Sequence, residues 1–219
     1  MALKLVLFDV DGTLLDTENI WKQAMDEAGK KFGVFDLGET LFPKIVGKSG
    51  KDEEVIYKKE LPSDILDDII KYWRDIGFKR IAENVPQKPG VHEIFEYVKN
   101  KGLYIGVGTA TNRELTEERL KKIHILDDID YLICGDEIKN KKPNPDIYLA
   151  LCRYFNVDTK EALVIEDSVV GVEAAYRASI SCIQVPDIIP ATNTEREHTL
   201  CIVETLNDVI RKIDEIYFK

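Results

Sequence analysis

The residues able to do chemistry in this 219-residue chain stand where apolar runs stop. Asp9 and Asp11 lie two residues apart, directly behind the run 3–8 and ahead of Gly12 and Thr13. Carboxylates at the end of a buried strand are costly unless a cation meets them. Gly12 lets the chain turn sharply and lets backbone N–H groups face an anion. The run 162–165 leads in the same way into Glu166, Asp167 and Ser168. The run 103–107 ends at Gly108, Thr109, Ala110, Thr111 and Asn112. Small and hydroxyl residues at a helix start suit a phosphate oxygen, and they also make an ordinary helix cap. The run 131–134 leads through Gly135 and Asp136 to Lys141 and Lys142, and Pro143 and Pro145 fix the backbone behind Lys142.

Taken singly, each of these could be a turn, a cap or a solvated loop. Together they put four acids, a hydroxyl and a lysine at the carboxyl ends of strands, which is where open parallel sheets bind ligands. Two like charges 4 Å apart repel by about 4 kcal/mol at an effective dielectric near 20, so four clustered carboxylates call for a divalent cation. An all-oxygen donor set without His or Cys indicates a hard ion, and Mg2+ fits best. His92, His124 and His198 match no ligand spacing and are read as structural or surface residues.

The elements that must hold these groups follow from periodicity. Short apolar runs at 3–8, 103–107, 131–134, 162–165, 182–185 and 201–203 read as buried strands. Helical patterns at 91–100, 114–122, 146–155, 169–178 and 206–217 alternate with them. The expected fold is therefore α/β, a doubly wound, mostly parallel Rossmann-like sheet. One region breaks the alternation. Residues 16–86 contain no convincing strand but carry helical patterns at about 17–32, 51–59 and 63–83. That length is too great for a loop, so 16–86 is expected to be an all-helical inserted domain and 1–15 with 87–219 the α/β core.

Composition narrows the role. With 40 Asp+Glu against 30 Lys+Arg the net charge is −10, which argues against nucleic acid or an anionic membrane as partner. Four well-separated cysteines form no CxxC and read as free thiols of a reducing compartment. No apolar run approaches the roughly 20 residues of a membrane span, and no signal peptide is evident at the start. The expectation is a cytoplasmic monomer whose partner is a small molecule.

The chain resembles the haloacid dehalogenase superfamily of phosphatases, in its beta-phosphoglucomutase-like branch with a helical cap. The resemblance is carried by Asp9-Val10-Asp11-Gly12-Thr13, Thr109, Lys142-Pro143, and Glu166-Asp167-Ser168 followed by Gly171-Val172-Glu173-Ala174-Ala175, all in the family's order. It covers the whole chain, with 16–86 at the cap position. It implies that Asp9 is the nucleophile forming an aspartyl-phosphate, and that Asp11 protonates the leaving group and then serves as base. Thr109 and Lys142 would hold the phosphoryl oxygens, with Thr13, Ala110, Thr111 and Asn112 around the substrate. Mg2+ would be bound by Asp9, the main-chain carbonyl of Asp11, and Asp167, with Glu166 a direct ligand or one step behind. The substrate would be a small phosphorylated metabolite, a sugar phosphate, over which the cap closes on hinges near 15–18 and 84–89.

Trp21, Lys48 and Lys51 are the candidate cap contacts, each with an alternative as bundle packing or a solvated turn. In the mutase a histidine sits where Trp21 falls, and a cap-loop arginine is replaced by Gly50 or Lys51. Both departures favour hydrolysis over mutase activity, which remains the alternative. Ser179 stands where the family usually has glycine. A phospho-accepting receiver domain is roughly half this length and orders its acids and lysine differently.

Overall fold

The protein is described here by a computed structural model covering residues 2–46, 48 and 50–218. It divides into two compact units, Met1–Leu15 with Gln87–Lys219, and Asp16–Pro86.

Strand β1 (Leu5–Phe8) opens the chain. The helical unit follows with α1 (Thr17–Lys31), α2 (Leu37–Thr40), α3 (Phe42–Ile45), α4 (Lys51–Glu60) and α5 (Leu66–Glu83). The chain then continues through α6 (Val91–Asn100), β2 (Tyr104–Gly108), α7 (Arg113–Lys122), β3 (Tyr131–Ile133), α8 (Asp146–Phe155) and β4 (Ala162–Glu166). It ends with α9 (Val169–Arg177), β5 (Ser181–Gln184), α10 (Asn193–His198), β6 (Cys201–Ile202) and α11 (Leu206–Tyr217).

The sheet runs in the order β3-β2-β1-β4-β5-β6, with every pairing parallel. Strand β1 is central because all four of its side chains are apolar and completely buried. Both faces of a parallel strand are covered by helices, so a run without alternation is what such a position requires. Phe8 pairs with Val107 on one side and Ile165 on the other. This register brings the next residues, Asp9, Gly108 and Glu166, level at one edge. Strand order reverses at β1, and the crevice outside that switch point is where such sheets bind ligands.

Several boundaries differ from the sequence reading. Residues 63–65 lie outside α5, in the turn after Pro62, and the helix begins at Leu66. Helices α2, α3 and α10, of four to six residues, carry too few turns for a periodic signal. Ser179 has φ 57°, the left-handed region that favours glycine. Its N–H donates to the Tyr176 carbonyl at 2.9 Å and ends α9.

In the helical unit α1 packs against α5, and Ala24, Met25 and Ala28 of the one and Ile69, Trp73 and Ile81 of the other are buried. Trp73 Nε1 donates to the Trp21 carbonyl at 2.9 Å, tying the two helices by a satisfied indole. Among the described residues, no helix is long and apolar enough to cross a membrane.

Candidate active site

The α/β unit gathers charge at the carboxyl edge of its sheet. Asp9 follows β1 and its N–H donates to the Ile165 carbonyl at 3.1 Å, so its backbone continues the ladder by one residue. Glu166 is the last residue of β4 and is completely buried. Lys142 comes from the loop after β3, and its Nζ reaches three strand ends. It donates to Asp9 Oδ1 at 2.5 Å, to Glu166 Oε1 at 2.8 Å and to the Gly108 carbonyl at 3.1 Å. It also lies 4.8 Å from the centre of the Tyr148 ring.

Glu166 is saturated with donors. Oε1 accepts from Lys142 and from the Tyr148 hydroxyl at 3.1 Å. Oε2 accepts from the Asp167 N–H at 2.9 Å, the Ser168 N–H at 2.8 Å and the Ser168 hydroxyl at 3.0 Å. Burial opposes its charge, but Lys142 and the Ser168 donors outweigh burial and hold its pKa below the usual range. Asp9 fares differently. Burial pushes its pKa up to about 7, against the pull of Lys142 and with the push of Glu166 and Asp11. Burial also works against the Lys142 charge, but Asp9 and Glu166 raise its pKa well above the lysine value. One ammonium is thus shared by two carboxylates, and Glu166, the more deeply buried of the two, stays charged because four further donors also hold it.

Gly12, at φ 90°, carries the chain past Asp167 so closely that a Cβ would stand 2.3 Å from Asp167 Oδ2. Thr13 Oγ1 donates to Asp167 Oδ1 at 3.0 Å, and the buried Gln184 donates to the Asp167 carbonyl at 3.0 Å. Gly171 is required for a related reason, since a Cβ there would stand 1.6 Å from Glu166 Oε1. Carboxylate oxygens of Asp9, Glu166 and Asp167 lie within 4.8 Å of one another, all three residues buried. Asp11 accepts from Thr111 Oγ1 at 2.7 Å and from Arg119 Nη1 at 3.0 Å. Thr109 is buried, and its hydroxyl accepts from the Thr111 N–H at 3.1 Å.

The sequence-derived candidates therefore separate. Asp9, Asp11, Thr13, Thr109, Thr111, Lys142, Glu166 and Asp167 stand at one edge. The Asn112 side chain caps α7 by accepting from the Leu115 N–H at 3.0 Å, and Thr111 gives its hydroxyl proton to Asp11. Ala110 is exposed, with its carbonyl pressed against Gly135. Trp21 and Lys48 line a cavity of about 360 Å3 within the helical unit, together with Phe42, Glu53, Trp73, Arg74 and Phe78. Lys51 opens α4, exposed and outside that lining. Gly47 and Ser49 of the same cap loop lie outside the described residues. Three contributors escaped the sequence reading: Arg119, Tyr148 and Gln184. The available signal for Arg119 was its place on the inward face of a helix, three residues after Thr116.

Comparison with known proteins agrees with this geometry. The profile of the haloacid dehalogenase-like hydrolases matches residues 6–185. A phosphorylated carbohydrates phosphatase of Thermotoga maritima is 32% identical over 179 residues, covering 81% of this chain and 82% of its own. A validoxylamine A 7'-phosphate phosphatase of Streptomyces hygroscopicus subsp. limoneus is 26% identical over 183 residues, covering 82% and 84%. A solved structure from Thermotoga maritima, provisionally described as a beta-phosphoglucomutase, superposes with a TM-score of 0.80 at 28% identity, over 98% of this chain and 100% of its own. The chain belongs to the haloacid dehalogenase-like hydrolases and is an enzyme of that class.

Proposed function

We propose that the protein is a Mg2+-dependent phosphatase that hydrolyses a small phosphorylated carbohydrate through an aspartyl-phosphate on Asp9. One observation carries the reading. Around Asp9 the rim holds four carboxylates, Asp9, Asp11, Glu166 and Asp167, and among the described residues the cations seen bonded to them are Lys142 and Arg119. The formal excess of two negative charges in a buried, all-oxygen setting fits one divalent ion. Asp9, Asp167 and the main-chain carbonyl of Asp11 would hold it, while the five donors on Glu166 suit that residue to anchoring Lys142. When bound, the ion would supply the positive charge that lets a carboxylate approach a phosphate dianion.

The chain's own residues account for the remaining roles. An Asp9 oxygen attacks phosphorus, the bond to the leaving oxygen breaks, and that oxygen takes a proton from Asp11. Water then attacks the aspartyl-phosphate, Asp11 takes its proton, and phosphate leaves with Asp9 regenerated. Lys142 neutralises the phosphoryl oxygens, aided by the Thr109 hydroxyl at the start of the loop before α7. Recognition of the organic group is assigned to Trp21 and Lys48 in the helical unit. An aromatic wall edged by charged side chains suits a polyhydroxylated ring, whose C–H faces pack on indole while its hydroxyls bond to polar groups.

The likeness to the structure described as a beta-phosphoglucomutase favours a mutase as second reading. One experiment addresses both: a panel of sugar monophosphates assayed for released phosphate, with Mg2+ and with EDTA. Release that needs Mg2+ is the expected result, and release indifferent to chelation would end the metal-site assignment. Beta-glucose 1-phosphate with a trace of bisphosphate is included, and isomerised product without free phosphate would favour the mutase.

A further inference from the structure

Arg119 is a buried cation whose place in the phosphatase reading is so far only electrostatic. Its side chain is 8% exposed, on a helix whose Lys121 and Lys122 face solvent. Burying a guanidinium is costly unless its partner is well placed, so a cation on the inward face of α7 is built for a specific contact. That contact is Asp11. Arg119 Nη1 holds Oδ1 at 3.0 Å while the Thr111 hydroxyl holds Oδ2 at 2.7 Å. The two donors come from different elements, α7 and the loop after β2, so together they fix the plane of the carboxyl group.

The two donors are not equivalent. A guanidinium only donates, so the oxygen it holds stays an acceptor. A hydroxyl donates or accepts, so Oδ2 can gain or lose a proton without losing Thr111. Thus Oδ2 is the oxygen left to carry the proton that Asp11 passes to the leaving group. A carboxyl group shifted by about 1 Å loses much of its catalytic effect, on the order of 100-fold.

We propose that Arg119 is a positioning residue for Asp11, pinning Oδ1 so that Oδ2 faces the leaving-group oxygen, and that it thereby sets how well the enzyme expels poor leaving groups. The assignment rests on the phosphatase reading. In the step concerned, the Asp9 O–P bond forms, the P–O bond to the leaving group breaks with its electron pair on the leaving oxygen, and the Asp11 proton moves to that oxygen.

Phosphoenzyme formation is to be followed by rapid quench with Mg2+ present, using aryl phosphates that run from 4-nitrophenyl to phenyl phosphate. The 4-nitrophenolate leaves with little help from an acid, whereas phenolate needs it. Arg119→Met should slow phosphorylation by phenyl phosphate about tenfold or more, with a steadily smaller effect toward 4-nitrophenyl phosphate. Arg119→Lys, which keeps the charge without the planar fork, should fall between, and it carries the test if the methionine variant does not fold. On an Asp11→Asn background, Arg119→Met should add nothing. Equal slowing along the series, no slowing, or full additivity with Asp11→Asn would each overturn the assignment. Absence of both phosphoenzyme and released phosphate from wild-type protein with every donor would instead remove the phosphatase reading, and this assignment with it.

Discussion

The sheet edge of the α/β unit and the cavity of the helical unit solve different problems with different materials. At the sheet edge, charges are buried and both oxygens of Asp11 and of Glu166 are occupied by named donors. In the cavity, Trp21 meets Trp73 and Phe78 edge-on, at 5.5 and 5.0 Å between ring centres, while Lys48, Arg74 and Phe78 are exposed. Buried polar groups leave little freedom, because a lost partner costs the full desolvation of the one left behind. An aromatic wall tolerates exchange of ring for ring. On the proposed function, such a division would let one hydrolytic chemistry serve many substrates, with the edge held constant and the cavity varied.

If that division holds, the largest effect belongs to the sheet edge. Asp9→Asn should reduce phosphate release to background while circular dichroism stays native, since the amide keeps the shape and loses the nucleophile. Lys142→Ala should come next, lowering kcat by about 100-fold or more and changing KM less, because its charge matters most in the transition state. It should also lower Tm, since two buried carboxylates would lose their shared cation. A larger change in KM than in kcat would move Lys142 from the chemistry to simple binding. In the cavity, Trp21→Phe should reorder the sugar phosphate panel by a few-fold, mainly through KM. An unchanged ranking would confine Trp21 to packing.

The last effect concerns stability in chelator rather than activity. The Asp9 carboxyl has its pKa raised from 3.8 to about 7 by burial, so the native state holds its proton more tightly than the unfolded chain does. Its contribution is therefore fully present below about pH 4 and fades as pH rises through about 7, by an amount on the order of a few kcal/mol. Denaturant melts with EDTA should show this decline, and Asp9→Asn should remove it. A slope that persists in Asp9→Asn would assign the titration to another group.

The chain alone determined the sheet and most of the acid cluster. Buried parallel strands must be apolar throughout, so an acid at the end of such a run is visible as an interruption; Asp9, Glu166 and Asp167 were legible for that reason. The long strandless stretch 16–86 marked a helical insert, since no loop of that length packs in a compact domain. Only the tertiary structure decided who holds whom. It gave Glu166 to Lys142, Ser168 and Tyr148, gave the Thr111 hydroxyl to Asp11, made Asn112 a helix cap, and turned Arg119 inward. Those pairings span separations of up to 108 residues and depend on strand register and on which face of a helix meets the sheet. Local sequence records residue type and period, whereas contact between distant segments is settled by packing the whole core at once.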